Sequence, residues 1–306
     1  MDAHLEQWRS QGQSFDYLGF EVFNRREGTG AVLLLMHGYP FSSFDWHAIW
    51  PALSERFTLI APDMLGMGFS AKPAEYEYSV HDHADMHEAL LRHLGVSECH
   101  VLAHDIGDSV AQELLSRHEE REHGDRPYEI RSITWLNGGM FIEAYRPRLM
   151  QTLTVKTPLG GLFAKSPRLF LSDAVIRPAI NEAFGPNTKP SDELWRQFSE
   201  ILDYNDGRRV SHKVGRFILD RYHHRNRWVR AMRETSVPMR FIDGPYDPNS
   251  GRHMAARYAE LIAEPDVVLL GDEIGHWPQI EDLEGVLTHF LEFVEPLAQR
   301  PVSAAR

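Results

Sequence analysis

The sequence holds a single cysteine, Cys99, among 306 residues. No internal disulfide can form, and a reduced, cytoplasmic setting is the expectation. The polar opening MDAHLEQWRSQGQ also lacks the basic-then-apolar pattern of a secretory signal. Long hydrophobic runs are missing: the most concentrated, Val32 to Met36, is strand-length, far short of the roughly 20 residues that span a bilayer. Membrane insertion is therefore not expected. An excess of positive charge is missing too. With 32 Lys and Arg against 44 Asp and Glu, the formal charge is −12, which disfavours nucleic acid and anionic membrane surfaces as partners. A small molecule is left as the expected partner. What the chain does have is 42% hydrophobic residues, enough at this length for one large core with a modest inserted second body.

Short apolar runs bounded by turn residues alternate with longer amphipathic stretches, which predicts an α/β fold with a mostly parallel central sheet flanked by helices. Strands are expected at Glu21 to Asn24, Ala31 to Met36, Thr58 to Ala61, His100 to Ala103, Ser132 to Leu136, Met239 to Ile242 and Val267 to Leu270. Five of these run into chemically conspicuous loops: His37-Gly38-Tyr39-Pro40, Pro62 to Gly68, His104 to Asp108, Asp243 to Pro248 and Gly271 to His276. Open parallel sheets gather ligands at that end of their strands. From about Gly138 to Trp228 the alternation stops, with helical spacing around Ser191 to Leu202 and Ser211 to Tyr222. The expected organisation is a core of residues 1–137 and 229–306 with a helical cap, 138–228, inserted into it.

Ala103-His104-Asp105-Ile106-Gly107 follows an expected strand and precedes an amphipathic helix. A nucleophile elbow needs small residues two positions to either side of the nucleophile, and Ala103 and Gly107 meet that demand. Asp105 would be the nucleophile, although Asp before a helix is also an ordinary N-cap. Asp247 and His276 follow later strands in the order nucleophile, acid, histidine. Each has a bland alternative, a turn residue for Asp247 and a packed residue for His276. Asp243 and Asp272 are rival acids. The backbone N–H groups of Tyr39 and Ile106 are candidate oxyanion donors, and His37, Trp46 and Trp277 are candidates for lining a pocket. His81, His83 and His87 suggest a metal cluster, but their polar surroundings favour a solvated helix face. Arg221, Arg225 and Arg227 with His223 and His224 read as a basic cap surface or rim, and Asp45-Trp46 reads equally as pocket lining or as a helix cap with a packed Trp.

These segments resemble the epoxide hydrolase and haloalkane dehalogenase branch of the α/β-hydrolase fold over nearly the whole chain. The resemblance rests on His37-Gly38-Tyr39-Pro40, Asp63-x-x-Gly66-x-Gly68-x-Ser70-x-Lys72-Pro73, His104-Asp105-x-Gly107, Asp247 and Gly275-His276. Within the branch the chain looks most like the mesoderm-specific transcript proteins, through Ala103 to Leu115, Leu136-Asn137-Gly138-Gly139-Met140-Phe141, Arg227-Trp228-Val229 and His276 to Asp282. The resemblance implies a helical cap after the sixth strand, an Asp nucleophile, and neither metal nor organic cofactor.

Carboxylate attack on an acyl carbon would give an anhydride, whereas attack on an sp³ carbon gives an ordinary ester. An apolar substrate with an electrophilic saturated carbon is therefore expected. Haloalkane dehalogenases usually place Trp after the nucleophile and Asn or Glu in the His-Gly-x-Pro turn, where this chain has Ile106 and Tyr39. Epoxide hydrolases use cap tyrosines as proton donors. Tyr222 approximately matches one, Thr152 to Ala174 contains no tyrosine for the other, and Tyr145 and Tyr204 are the substitutes. The sequence thus favours an epoxide hydrolase, with haloalkane dehalogenation as the alternative and a non-catalytic receptor or pseudoenzyme as the reading from another class.

Overall fold

The computed structural model describes residues 1–122, 125–147 and 172–299. Its centre is a sheet of eight strands in the order β1-β2-β4-β3-β5-β6-β7-β8. They are β1 (Gly12–Tyr17), β2 (Phe20–Glu27), β3 (Val32–Met36), β4 (Thr58–Pro62), β5 (Glu98–His104), β6 (Glu129–Leu136), β7 (Met239–Asp243) and β8 (Val267–Leu269). From β4 to β8 all ladders are parallel, and β1 and β2 add an antiparallel edge. Because side chains alternate along a strand, Leu33 and Leu35 of β3 enter one core cluster while Leu34 and Met36 enter the other. Both faces are covered, as a parallel sheet requires.

The strand β1 has no counterpart among the expected strands. Its hairpin to β2 turns at Leu18 and Gly19, with φ of 55° and 83°. A two-residue turn of this kind is normally announced by Asn or Gly at both places, and Leu18 conceals it.

Helix α3 (Val80–His93) is capped by the Ser79 side chain on the Asp82 amide. It corrects the expectation of a solvated histidine face, since His83 and His87 are buried. Both sit on the inward stripe with Val80, Ala84 and Leu91. Burial pushes His83 down to about 3 and His87 to about 4. No group of three or more metal-ligating side chains occurs among the described residues. The other early helices are α1 (Ala3–Ser10), α2 (Trp50–Ser54) and α4 (Ile106–Glu120).

Between β6 and β7 the described residues form helices and no strand: Asp173–Ala183, Asp192–Asp203, Arg208–Val214 and Phe217–Glu234, with a 3-10 turn at Tyr204–Asp206. The stretch expected as one helix from Ser211 to Tyr222 is broken at Gly215 and Arg216. The expected boundary at Trp228 lies inside the helix Phe217–Glu234, whose Trp228, Val229 and Met232 are buried in the same core cluster as Val110 and Leu114 of α4.

Candidate active site

Asp105 occupies the turn between β5 and α4 with φ 51° and ψ −105°. A non-glycine residue held at such an angle stores on the order of 1–3 kcal/mol. Space explains the flanking small residue: a Cβ at Gly107 would lie 2.3 Å from the Met36 carbonyl oxygen of β3. Although Asp105 stands at the N-cap position, its side chain caps nothing. Instead Oδ2 accepts from the Tyr39 amide at 3.1 Å, and Oδ1 faces the Arg221 Nη2 at 3.3 Å. Ile106 is the first residue of α4, where backbone N–H groups have no intrahelical acceptor.

Asp247 follows β7, and its Oδ2 lies 2.7 Å from His276 Nδ1. The Asp247 carboxylate also accepts from Ser250 Oγ at 2.6 Å and from the Asn249 amide at 2.8 Å. Burial pushes this carboxyl up, but His276, Ser250 and Asn249 outweigh it and hold the group at about 2. For His276 burial acts downward, while the Asp247 and Asp105 carboxylates act upward and leave the imidazole above its ordinary value. Asn137, at the end of β6, ties the acid loop in place by donating to Asp243 Oδ1 at 3.0 Å and to the Gly244 carbonyl at 2.9 Å. The rival acids are placed elsewhere: Asp243 is on Asn137, and Asp272 pairs with Arg252 at the surface.

The side of the site facing the inserted helices departs from expectation. Arg221 was read as part of a basic rim, yet it is 2% exposed. Its Nη2 donates to the Asp105 carbonyl at 2.9 Å and its Nε to Ser109 Oγ at 2.7 Å. Its guanidinium carbon lies 4.6 Å from the Phe217 ring centroid and 5.1 Å from that of Tyr145. A helix turns about 100° per residue, so the inward aim of Arg221 carries Tyr222 outward, to 44% exposure. Tyr222 as proton donor is thereby corrected. Tyr204 is corrected as well, because its ring packs on Phe69 near Lys72 and Arg9. Of the three tyrosines, Tyr145 is the one that lies beside the site. It is buried, its Oη is 3.3 Å from Asn249 Nδ2, and burial pushes the phenol up to about 12. The segment Thr152 to Ala174 lies outside the described residues up to position 171.

The pocket candidates divide. His37 is a brace: Nδ1 meets the Gly38 carbonyl at 2.8 Å and Nε2 accepts from the Met64 amide at 2.9 Å. Trp46 is fully buried in the core cluster on one sheet face. Asp45 does not cap, since Ser42 accepts from the Phe44 amide at that turn. Trp277 stays beside the site, its ring 4.6 Å from His276 and stacked on Phe184 at 4.8 Å. Asp108 and Arg221 are the residues that reading the sequence missed. An acidic residue in a first helical turn ordinarily signals only the helix dipole, and nothing in a run of arginines between β6 and β7 marks the one that turns inward.

The arrangement offers a buried carboxylate held by a backbone amide and a guanidinium, and an imidazole held by a second carboxylate. The sequence profile of the alpha/beta hydrolase fold family matches residues 31–283. The mesoderm-specific transcript homolog protein of Homo sapiens is 38% identical over 299 residues, covering 95% of this chain and 88% of that protein. The solved structure of epoxide hydrolase CorEH without ligand superposes with a TM-score of 0.73 at 22% identity, covering 94% of this chain and 99% of that one. Haloalkane dehalogenase DbeA from Bradyrhizobium elkani USDA94 gives 0.75 at 21% identity, covering 94% and 98%. At those identities the two structures speak to fold. The profile and the human relative speak to descent, and the chain belongs to the alpha/beta hydrolase fold family, among proteins similar to the mesoderm-specific transcript proteins.

Proposed function

We propose that the chain is an epoxide hydrolase that works through an ester on Asp105, with the insertion between β6 and β7 serving as a cap over the site. The observation that carries this reading is the Asp105 side chain. It is held at a positive φ, is not used to cap its helix, and sits between the Tyr39 amide and a buried cation. That is an expensive way to place a merely structural aspartate.

With Oδ2 on the Tyr39 amide, Oδ1 is the attacking oxygen. It displaces the epoxide oxygen from a saturated carbon and forms an alkyl ester. Tyr145, protonated at neutral pH, donates to the departing oxygen. His276, with Nδ1 held by Asp247, then takes a proton from water attacking the ester carbonyl. The oxyanion forms on Oδ2, facing the amides of Tyr39 and Ile106. Ile106 has no side-chain N–H for a departing halide, which supports epoxide over halide. A relative named soluble epoxide hydrolase, from Corynebacterium sp. (strain C12), is 41% identical over 93 residues and lends support over that stretch.

The test is a panel of aryl and alkyl epoxides set against matched bromoalkanes. Diol formation should exceed bromide release, and Tyr145→Phe should slow the former by about 10²–10⁴-fold. Bromide release untouched by Tyr145→Phe, with no diol, would replace this reading with haloalkane dehalogenation.

A further inference from the structure

Arg221 and Asp108 form a second layer behind the nucleophile. Asp108 lies one helical turn after Asp105, is 0% exposed, and neither of its carboxyl oxygens has a well-formed hydrogen-bond partner, the Leu136 backbone being the nearest donor. It is packed so closely against Gly138 that a Cβ there would sit 2.2 Å from its Oδ2. On the neighbouring Gly139 the same test meets Arg221 Nη1 at 2.3 Å, and that nitrogen is buried without an acceptor. The chain therefore buries one cation and two carboxyls together. Among the described residues Arg221 is ion-paired with Asp105 alone, and Asp108 lies beyond ion-pair distance of it.

The groups acting on Asp108 are Arg221, Asp105 and the Leu136 backbone. Burial raises its pKa well above the ordinary carboxyl range, with Arg221 opposing and Asp105 reinforcing the shift. At rest the cluster is one carboxylate, one guanidinium and one carboxylic acid. Esterification removes the charge of Asp105 and strands the guanidinium, because a buried cation without a counter-ion is strongly disfavoured.

We propose that Asp108 is the reserve counter-ion of Arg221, ionising when Asp105 is esterified and taking the proton back when the ester is cleaved. The inference rests on the reading of Asp105 as nucleophile. In the first step the Asp105 Oδ1 to carbon bond forms and the carbon to epoxide-oxygen bond breaks. Tyr145 passes a proton to that oxygen, and the proton given up by Asp108 balances the charge of the step. In the second step water cleaves the ester, the product alcohol keeps one of the water protons, and the other, taken up by His276, balances the return of Asp108 to its acid form. The summed charge of the cluster stays constant, and Asp108 is a positioning residue acting through Arg221.

The experiment uses the full chain carrying His276→Gln, which allows esterification and blocks hydrolysis, with styrene oxide as probe and intact mass as readout. Adding Asp108→Asn should slow adduct formation by about 10²-fold, near the lower end of what an uncompensated buried charge implies, with the concentration for half-maximal rate nearly unchanged. Adding Arg221→Gln to that variant should restore part of the rate, because the cation needing a partner is gone. A purely structural role for Asp108 would give no such rescue. Infrared difference spectra of His276→Gln itself need no change at Asp108. Adduct formation should remove a carboxylic-acid C=O stretch that shifts in heavy water, as an ester stretch does not. Adduct formation at an unchanged rate in Asp108→Asn, or persistence of that acid stretch, overturns this inference and leaves the nucleophile in place. No adduct in folded His276→Gln overturns both.

Discussion

Asp247 and His276 stand on loops leaving the carboxyl ends of β7 and β8, whereas Arg221 and Tyr145 come from the chain between β6 and β7. The two groups are held in different ways. Asp247 is saturated, with His276, Ser250 and the Asn249 amide on its two oxygens. The opposite side leaves polar atoms unmet: Nη1 of Arg221 and both carboxyl oxygens of Asp108 are buried without well-formed hydrogen bonds. A saturated network fixes one geometry, while an unsatisfied one is costly at rest and suited to changing its charge state. On the proposed reading, the sheet side would supply a fixed base and the helical side groups that respond to the reaction.

If that division holds, variants on the two sides fail at different steps. The largest effect belongs to the residue between them: Asp105→Ala should abolish ester formation and cut turnover by about 10⁴-fold or more, read as diol produced per enzyme. Asp247→Asn should still form the ester but lose about 10²–10⁴-fold in its hydrolysis, so that adduct accumulates in mass spectra of the working enzyme. Wild-type rates without adduct in that variant would place the acid elsewhere. A pH profile sharpens the contrast. His276 must be neutral to take the water proton, and Asp247 holds its pKa above the ordinary value. Ester hydrolysis should therefore rise with pH through a limb above the ordinary histidine range, and Asp247→Asn should move that limb down. The smallest effect is expected from Tyr222→Phe, which should change diol formation by less than about twofold. A loss as large as that of Tyr145→Phe would mean that the helix Phe217–Glu234 turns its other face to the substrate.

The same division decided what the sequence made legible. Asp105, Asp247 and His276 each follow a strand, and strand order with chain order is enough to bring such loops together. The tight strand-to-helix turn at Asp105 was readable because Gly107 and Ala103 answer a local steric demand. The facing of a helix in the insertion depends on tertiary packing, and there the reading went astray. Arg221 and Tyr222 are adjacent in sequence, yet one is buried against Asp105 and the other is 44% exposed. Spacing within that segment gave no means of choosing between them. His83 and His87 were misread for a related reason, since polar neighbours hid an inward stripe completed by Val80, Ala84 and Leu91. Strand β1 was hidden by Leu18 in a turn where Asn or Gly is the usual sign.

The central claim is that a carboxyl oxygen of Asp105 forms the first bond to substrate. It is tested most directly by a single turnover with enzyme in excess over an epoxide substrate, in water labelled with heavy oxygen. The product diol should be unlabelled, and the label should appear in the peptide containing Asp105, because water attacks the ester carbonyl and one original carboxylate oxygen leaves with the product. Label in the first-turnover diol, with none in that peptide, would mean that water attacks the substrate directly and that Asp105 is not the nucleophile.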